Sequence, residues 1–188
     1  PIVGDIRSTL RELNKLVKQG FLVIDPEHRF IFDNPAYRDI LLEQMPTDVK
    51  AECCDHIADF FEGQGEDKEK VMYFRGRGNR EDATEVLLQL AQQQNHQMNF
   101  RGAKEGLLEL VERKGISTTI IGETLLTLGI ICMETGDYNE AHKWLTQLIN
   151  HPDGMSALVM ARAYENMGVN AFMKAKYSEA KEFYKNEP

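Results

Sequence analysis

Apolar residues recur at helical spacing along most of this chain, and two stretches share one detailed pattern. In residues 129–141 and again in residues 168–180, a small residue is followed by a turn, an aromatic residue and then an alanine. Small residues allow two helix axes to approach closely. Because one helical hairpin cannot bury its own apolar face, the pattern predicts hairpins that stack on one another.

The spacing of these positions resembles the tetratricopeptide repeat. The central copy matches at Leu125, Leu128, Gly129, Gly136, Tyr138, Ala141, Leu145, Leu148 and Pro152. The following copy matches at Tyr164, Gly168, Tyr177, Ala180 and Tyr184. A weaker upstream copy has Leu87, Leu90, Ala91, Phe100, Ala103, Leu107 and Leu110.

The aromatic positions set the length of this repeat. From Phe100 to Tyr138 is 38 residues and from Tyr138 to Tyr177 is 39, which is longer than the common length of about 34. The sequence therefore predicts about three slightly extended repeats over residues 84–185, the last of them truncated.

The first sixty residues have a different pattern. Ile6, Leu10, Leu13 and Val17 predict an amphipathic helix, which Asp5 or Ser8 could cap and which Gly20 could end. Two short β-forming runs at residues 21–24 and 29–32 flank a turn that contains a proline. They predict a β-hairpin, and a helix followed at once by a hairpin resembles the last half of a winged helix.

Two further helices are predicted after the hairpin. Asn34 and Pro35 suit a helix N-terminus, and Pro46 ends that helix. Thr47 or Asp48 begins the next, which ends near Gly63. We therefore predict a mainly α protein, with a winged-helix-like α/β-hairpin domain at 1–63 and a tetratricopeptide-like array of helical hairpins at 64–188.

This order of parts resembles a region of STAND-type signal-transduction ATPases and of soluble adenylyl cyclase-like regulators. The resemblance implies a nucleotide-binding domain upstream, a winged helix that packs on it, and an array that receives an activating protein or peptide. Where that family commonly has histidines, this chain has Asp33 and Cys54. It contains no Gly-x-x-x-x-Gly-Lys-Ser/Thr loop to bind nucleotide phosphates.

Composition narrows the functional classes. The net charge of −8 argues against general attraction to nucleic acid or to anionic lipid. No run of 18 apolar residues and no secretory signal occurs, so no membrane association is expected. Cys53, Cys54 and Cys132 are a poor disulfide framework, and a cytoplasmic location is expected.

Residue types that could carry catalysis are scattered. Cys53, Cys54 and His56 have metal-ligand chemistry but lack a second cluster, and His142 and His151 are a full helix apart. We predict no enzyme activity, no metal and no cofactor. The segment at residues 75–80 carries three arginines, and we interpret it as a helix C-terminus followed by an N-cap at Asn79.

One basic surface is predicted on the first helix, opposite its apolar side. Its residues are Arg7, Arg11, Lys15 and Lys18. A winged helix that binds DNA places its recognition helix immediately before the hairpin. However, residues 1–62 hold 7 basic and 12 acidic side chains, a balance of 7 − 12 = −5, and duplex binding favours the opposite sign.

The principal hypothesis is a non-catalytic regulatory module that binds a protein or peptide partner. By the register of the resemblance, the first helix of each repeat lines a groove. The predicted groove residues are Gln92, Asn95, Thr127, Ile130, Glu134, Glu165, Val169 and Phe172. The alternative is a DNA-binding winged-helix transcription regulator with the array as its sensor.

Overall fold

The computed structural model of the chain describes residues 6–65 and 67–185 and is mainly helical, as predicted. The described residues form a two-stranded hairpin, β1 (Leu22–Ile24) and β2 (Phe30–Phe32), and ten helices. The helices are α1 (Ile6–Lys18), α2 (Pro35–Gln44), α3 (Thr47–Gln64), α4 (Lys68–Arg75), α5 (Ala83–His96), α6 (Phe100–Glu112), α7 (Thr118–Glu134), α8 (Tyr138–Asn150), α9 (Ala157–Met173) and α10 (Tyr177–Lys185).

The chain divides into a first unit, Pro1–Arg80, and a second unit, Glu81–Pro188. The first unit extends past residue 63 because α4 packs against α3. Phe74 of α4 stacks on Phe61 of α3 with ring centroids 5.8 Å apart. The sequence between Gly63 and Asp67 therefore connects two packed helices of one unit.

The predicted β-hairpin is confirmed. β1 and β2 are antiparallel, with Leu22 opposite Phe32. The Asp25 carboxylate closes the turn by accepting hydrogen bonds from the backbone N–H groups of Glu27 and Arg29, each at 2.9 Å. These bonds, that of Arg29 foremost, hold the pKa of Asp25 below its usual value.

Local capping explains where the neighbouring helices begin and end. Gly20, with φ of 78°, follows the end of α1 in the left-handed conformation that glycine tolerates. Asn34 caps α2 as predicted, its side chain accepting a hydrogen bond from the backbone N–H of Ala36 at 2.9 Å. The helix predicted after Pro46 begins at Thr47 and ends at Gln64. Asp5 lies outside the described residues, and Ser8 lies inside α1.

The second unit is a succession of helical hairpins. The paired helices are α5 with α6, α7 with α8 and α9 with α10. α6 also packs against α7, and α8 against α9. In addition α5 contacts α7, and α7 contacts α9, so the first helices of successive hairpins are neighbours.

The three hairpin turns share one backbone geometry. Met98, Gly136 and Ala175 have φ values of 59°, 81° and 58°, all in the left-handed region. In each turn the next residue donates its N–H to a carbonyl five residues back, at Gln94, Cys132 and Ala171 respectively. This six-to-one bond closes a helix C-terminus. The three turns thus recur along the chain at the same spacing as Phe100, Tyr138 and Tyr177.

Small residues lie where the helices cross, as the sequence pattern predicts. A Cβ atom built on Gly129 would lie 2.7 Å from Cγ and Cδ2 of Leu145 on α8. A Cβ built on Gly168 would lie 2.6 Å from the Tyr184 ring. The fully buried leucines of this core are Leu87, Leu107, Leu110, Leu126, Leu128, Leu145 and Leu148.

Candidate functional site

The predicted groove residues lie on the three neighbouring helices α5, α7 and α9. Gln92 and Asn95 belong to α5, Thr127 and Glu134 to α7, and Phe172 to α9. Because α7 contacts both α5 and α9, the predicted groove residues lie on helices that neighbour one another. The residues nevertheless differ in exposure, and the three helices therefore offer a ligand different contacts.

α9 presents an exposed apolar stripe. Val169 is 39% exposed and Phe172 is 57% exposed, and Glu165 lies one turn earlier on the same side. The sequence reasoning missed Met173, which is also exposed and adjoins Phe172. Phe172 makes an edge-to-face contact with Tyr177 of α10, with ring centroids 5.5 Å apart. Phe172 and Tyr177 together therefore add an exposed aromatic surface to this stripe.

The middle helix, α7, offers less surface. The Thr127 side chain is buried, and its hydroxyl donates to the Glu123 carbonyl oxygen at 2.7 Å. Ile130 is half-buried and Glu134 is exposed. Contact with α7 would therefore rest on Ile130 and Glu134, because the hydroxyl of Thr127 is already used within the helix.

α5 adds amide groups. Gln92 and Asn95 are both half-buried. The Asn95 Oδ1 atom is buried and accepts no hydrogen bond from the described residues. A buried acceptor without a donor is costly to the fold, and because this oxygen is buried it is shielded from a ligand at the surface of α5.

A cluster of polar groups links α6, α7 and α8. Lys104 Nζ lies 2.5 Å from Glu140 Oε2, and Cys132 Sγ lies 3.7 Å from the same oxygen. The hydrogen bond between Lys104 and Glu140 lowers the pKa of Glu140 and raises the pKa of Lys104. Burial raises the pKa of Cys132 to about 11. The Cys132 thiol is therefore protonated near neutral pH and unsuited to nucleophilic chemistry.

The arginines of residues 75–80 make contacts within the first unit. Arg80 pairs with Asp59 and lies 3.6 Å from Asp55. The Arg77 guanidinium lies 3.9 Å from the centroid of the Tyr73 ring.

The predicted N-cap at Asn79 is wrong. Asn79 donates its backbone N–H to the Asp55 carboxylate at 2.9 Å. The helix that follows begins at Ala83, after Asp82.

The cysteine and histidine residues near position 54 do not assemble into a metal site in the described residues. Cys53 and Cys54 are free and half-buried. His56 lies 3.9 Å from Glu52 on the same helix. No group of three histidine, cysteine, aspartate or glutamate side chains in residues 6–65 and 67–185 could hold a metal ion.

The basic residues predicted on the first helix are all on α1, and all are exposed. They are Arg7, Arg11, Lys15 and Lys18. Lys15 forms an ion pair with Glu12 at 2.7 Å, an interaction along the helix surface. The four basic side chains thus form an exposed row that is one helix long.

The first unit also contains an apolar groove that sequence reasoning missed. It has a volume of about 560 Å³ and lies between α1, the hairpin and α2. Its lining is Leu13, Leu16, Phe21, Leu22, Phe30, Phe32, Tyr37, Ile40, Leu41 and Gln44. The apolar face of α1 was recognised in the sequence, but its exposure depends on tertiary packing.

Comparison with known proteins assigns no family to this arrangement. No protein-family model matches the chain, and a search of curated proteins finds no similar sequence. Among the described helices, none combines the length and the apolar character needed to cross a membrane.

Proposed function

We propose that the chain is a non-catalytic regulatory module whose second unit binds an extended or helical peptide of a partner protein. The binding surface is the exposed side of α5, α7 and α9. The observation that carries this proposal is the apolar stripe on α9, where Val169 and Phe172 remain exposed beside a packed core. Exposed apolar surface bordered by polar residues is typical of interaction sites.

The charges on this surface define the preferred partner. Glu134 on α7 and Glu165 on α9 are both exposed carboxylates. Gln92 and Asn95 on α5 contribute amide groups that can pair with a peptide backbone. We therefore expect peptides that combine apolar side chains with lysine or arginine to bind best.

The proposal includes a more detailed fold for each unit. Three successive hairpins with one shared turn geometry support a tetratricopeptide-like array in residues 84–185. The order α1, β1, β2 and α2 supports a winged-helix-like first part. Together they support a regulatory module of a larger cytoplasmic signalling ATPase or regulator, with a nucleotide-binding domain upstream.

A peptide selection on the intact 188-residue chain tests the binding function. Peptides displayed on phage would be selected, synthesised with a fluorophore and titrated by fluorescence anisotropy. We expect Phe172→Ser and Val169→Ser each to weaken binding by about tenfold, because truncation of a central apolar contact costs roughly 1–2 kcal/mol.

The matched control is Met98→Ser. Met98 is an exposed apolar residue of the same unit, but it lies in the first hairpin turn. It should leave the affinity unchanged. Selected peptides that bind both α9 variants as tightly as the original chain would contradict the proposal.

A further inference from the structure

The hairpin of α9 and α10 exposes a position that both preceding hairpins bury. Leu107 of α6 and Leu145 of α8 are 38 residues apart, and both are fully buried. Tyr184 of α10 follows Leu145 by 39 residues and is 46% exposed. Ala141 and Ala180 have the same spacing of 39 residues, and both are buried. The hairpins can therefore be compared position by position, and they differ at Tyr184.

A helix of the next hairpin covers this face in the preceding hairpins. α7 packs against α6, and α9 packs against α8. Asn170 of α9 donates a side-chain hydrogen bond to the backbone oxygen of Tyr138 in α8, at 3.0 Å. A Cβ atom built on Gly122 of α7 would lie 3.5 Å from Cγ1 of Val159, so α9 contacts α7 closely as well. Tyr177 of α10, the equivalent of Tyr138, is 63% exposed. The repeated packing indicates that a helix is the occupant this face fits.

The two covering helices share one side-chain pattern. It is a large apolar residue, a smaller residue and a large apolar residue, each four positions after the last, which places all three on one side of a helix. The pattern consists of Ile120, Thr124 and Leu128 in α7 and of Val159, Ala163 and Met167 in α9. The middle residue is fully buried in both helices. A smaller residue there lets two helix axes approach closely, so the pattern defines the apolar stripe that an occupant needs.

One position of the exposed face carries a charge. Leu126 of α7 is fully buried and lies one turn after Gly122, on the side of α7 that α9 contacts. The residue of α9 at the equivalent position is Glu165, an exposed carboxylate. Covering a carboxylate without a partner is costly, so an occupant is expected to bring a lysine or arginine to Glu165.

We propose that α9 and α10 dock an amphipathic helix of a partner protein, in the position that α9 occupies against α7 and α8. The helix presents its large, small, large apolar stripe to Tyr177 and Tyr184, and a basic residue to Glu165. The inference rests on the proposed function, since Glu165 and Phe172 belong to the surface proposed there. It adds that the bound peptide is helical and that α10 forms part of the site.

The test uses the intact chain and a fluorescein-labelled peptide with the sequence of residues 156–174, which contains α9. Two control peptides carry Ala163→Lys, which obstructs a close approach, and Ala163→Pro, which breaks the helix. We expect the unchanged peptide to bind at least about tenfold more tightly than either control in fluorescence anisotropy. The mixture should show more helix in circular dichroism than the separate components together, because a free peptide of this length is marginally helical in water.

Variants of the chain locate the binding. Tyr177→Ser should weaken binding about tenfold. Leu158→Ser is the matched control, because Leu158 is similarly exposed while its equivalent in α7, Thr119, stays exposed beside α9. Glu165→Leu supplies the residue type of Leu126 and should strengthen binding of this peptide about threefold or more. Circular dichroism verifies that each variant is folded.

Three results would overturn the inference. The first is that the unchanged peptide fails to bind, or binds without a gain of helix. The second is an affinity that neither Tyr177→Ser nor Glu165→Leu alters. The third is a concentration-dependent dimer in sedimentation that Tyr177→Ser dissociates, since the occupant would then be a second copy of this chain.

Phe172→Ser separates this inference from the proposed function. If selected peptides lose affinity for Phe172→Ser but not for Tyr177→Ser, the peptide-binding surface stands and the helix site on α10 is wrong. If they bind both variants as tightly as the original chain, both proposals are wrong.

Discussion

Replacing Gly129 by alanine tests whether the close approach of α7 and α8 holds the second hairpin together. The new Cβ would lie 2.7 Å from Cγ and Cδ2 of Leu145, a fully buried side chain. Overpacking of this kind costs about 1–3 kcal/mol. Alanine also regains about 1 kcal/mol of helix propensity relative to glycine. The expected net loss of stability is therefore about 1 kcal/mol, within a range of roughly 0–2 kcal/mol.

The chain supplies its own reporter for this measurement. Its single tryptophan, Trp144, is buried on α8 in the second unit. Urea unfolding followed by tryptophan emission therefore reports the second unit, and circular dichroism reports both units. Gly129→Ala should lower the urea midpoint in the tryptophan signal.

A matched glycine separates the steric cost from the propensity gain. A Cβ on Gly106 of α6 would lie 3.3 Å from one terminal methyl of Leu87, a much milder contact. Gly106→Ala should therefore be more stable than Gly129→Ala by at least about 1 kcal/mol. Leu145→Ala made in the Gly129→Ala background should cost less than it does alone, with a coupling of about 1–2 kcal/mol. Equal gains in stability for both glycine variants would refute the reasoning.

Three further predictions concern the second unit. Ala175→Gly should raise its stability and Gly136→Ala should lower it, each by about 1 kcal/mol in thermal unfolding, because both residues hold left-handed backbone. Glu140→Gln should lower the free energy of unfolding by about 1 kcal/mol near neutral pH. The hydrogen bond with Lys104 lowers the pKa of Glu140 from 4.5, so this difference in stability should shrink as the pH falls below 4.5. The same bond raises the pKa of Lys104 from 10.5, so the difference should also shrink as the pH rises past 10.5. Iodoacetamide at about pH 8 should leave Cys132 unmodified until urea unfolds the chain, because the thiol is buried and burial raises its pKa to about 11. Mass spectrometry measures the modification, and a modified Cys132 in the folded chain would contradict this prediction.

Elements defined by local chemistry were predicted well from the sequence. The β-hairpin, the Asn34 cap and the helix that begins at Thr47 depend on neighbouring residues, and all three are confirmed. The close crossing of α7 and α8 at Gly129 was also predicted, because a glycine within an apolar helix face allows another helix to approach closely.

Features that depend on distant residues were harder to predict. Asn79 looked like an N-cap, but the carboxylate of Asp55, 24 positions earlier, holds its backbone N–H. Thr127 was assigned to the groove by register, yet its hydroxyl bonds within α7. The apolar groove was missed since a sequence pattern identifies an apolar face without showing whether another element covers it.

The neighbour-to-neighbour packing of α5 to α10 has a consequence for how this part of the protein folds. Each helix contacts the next, or the next but one, so the contacts join residues that are close along the chain. Contacts of this local kind favour rapid folding, which can nucleate at any hairpin and spread to its neighbours. Gain or loss of a whole hairpin would change the length of the stack while leaving the interior of the others intact, a route by which such a surface can be extended in evolution or by design.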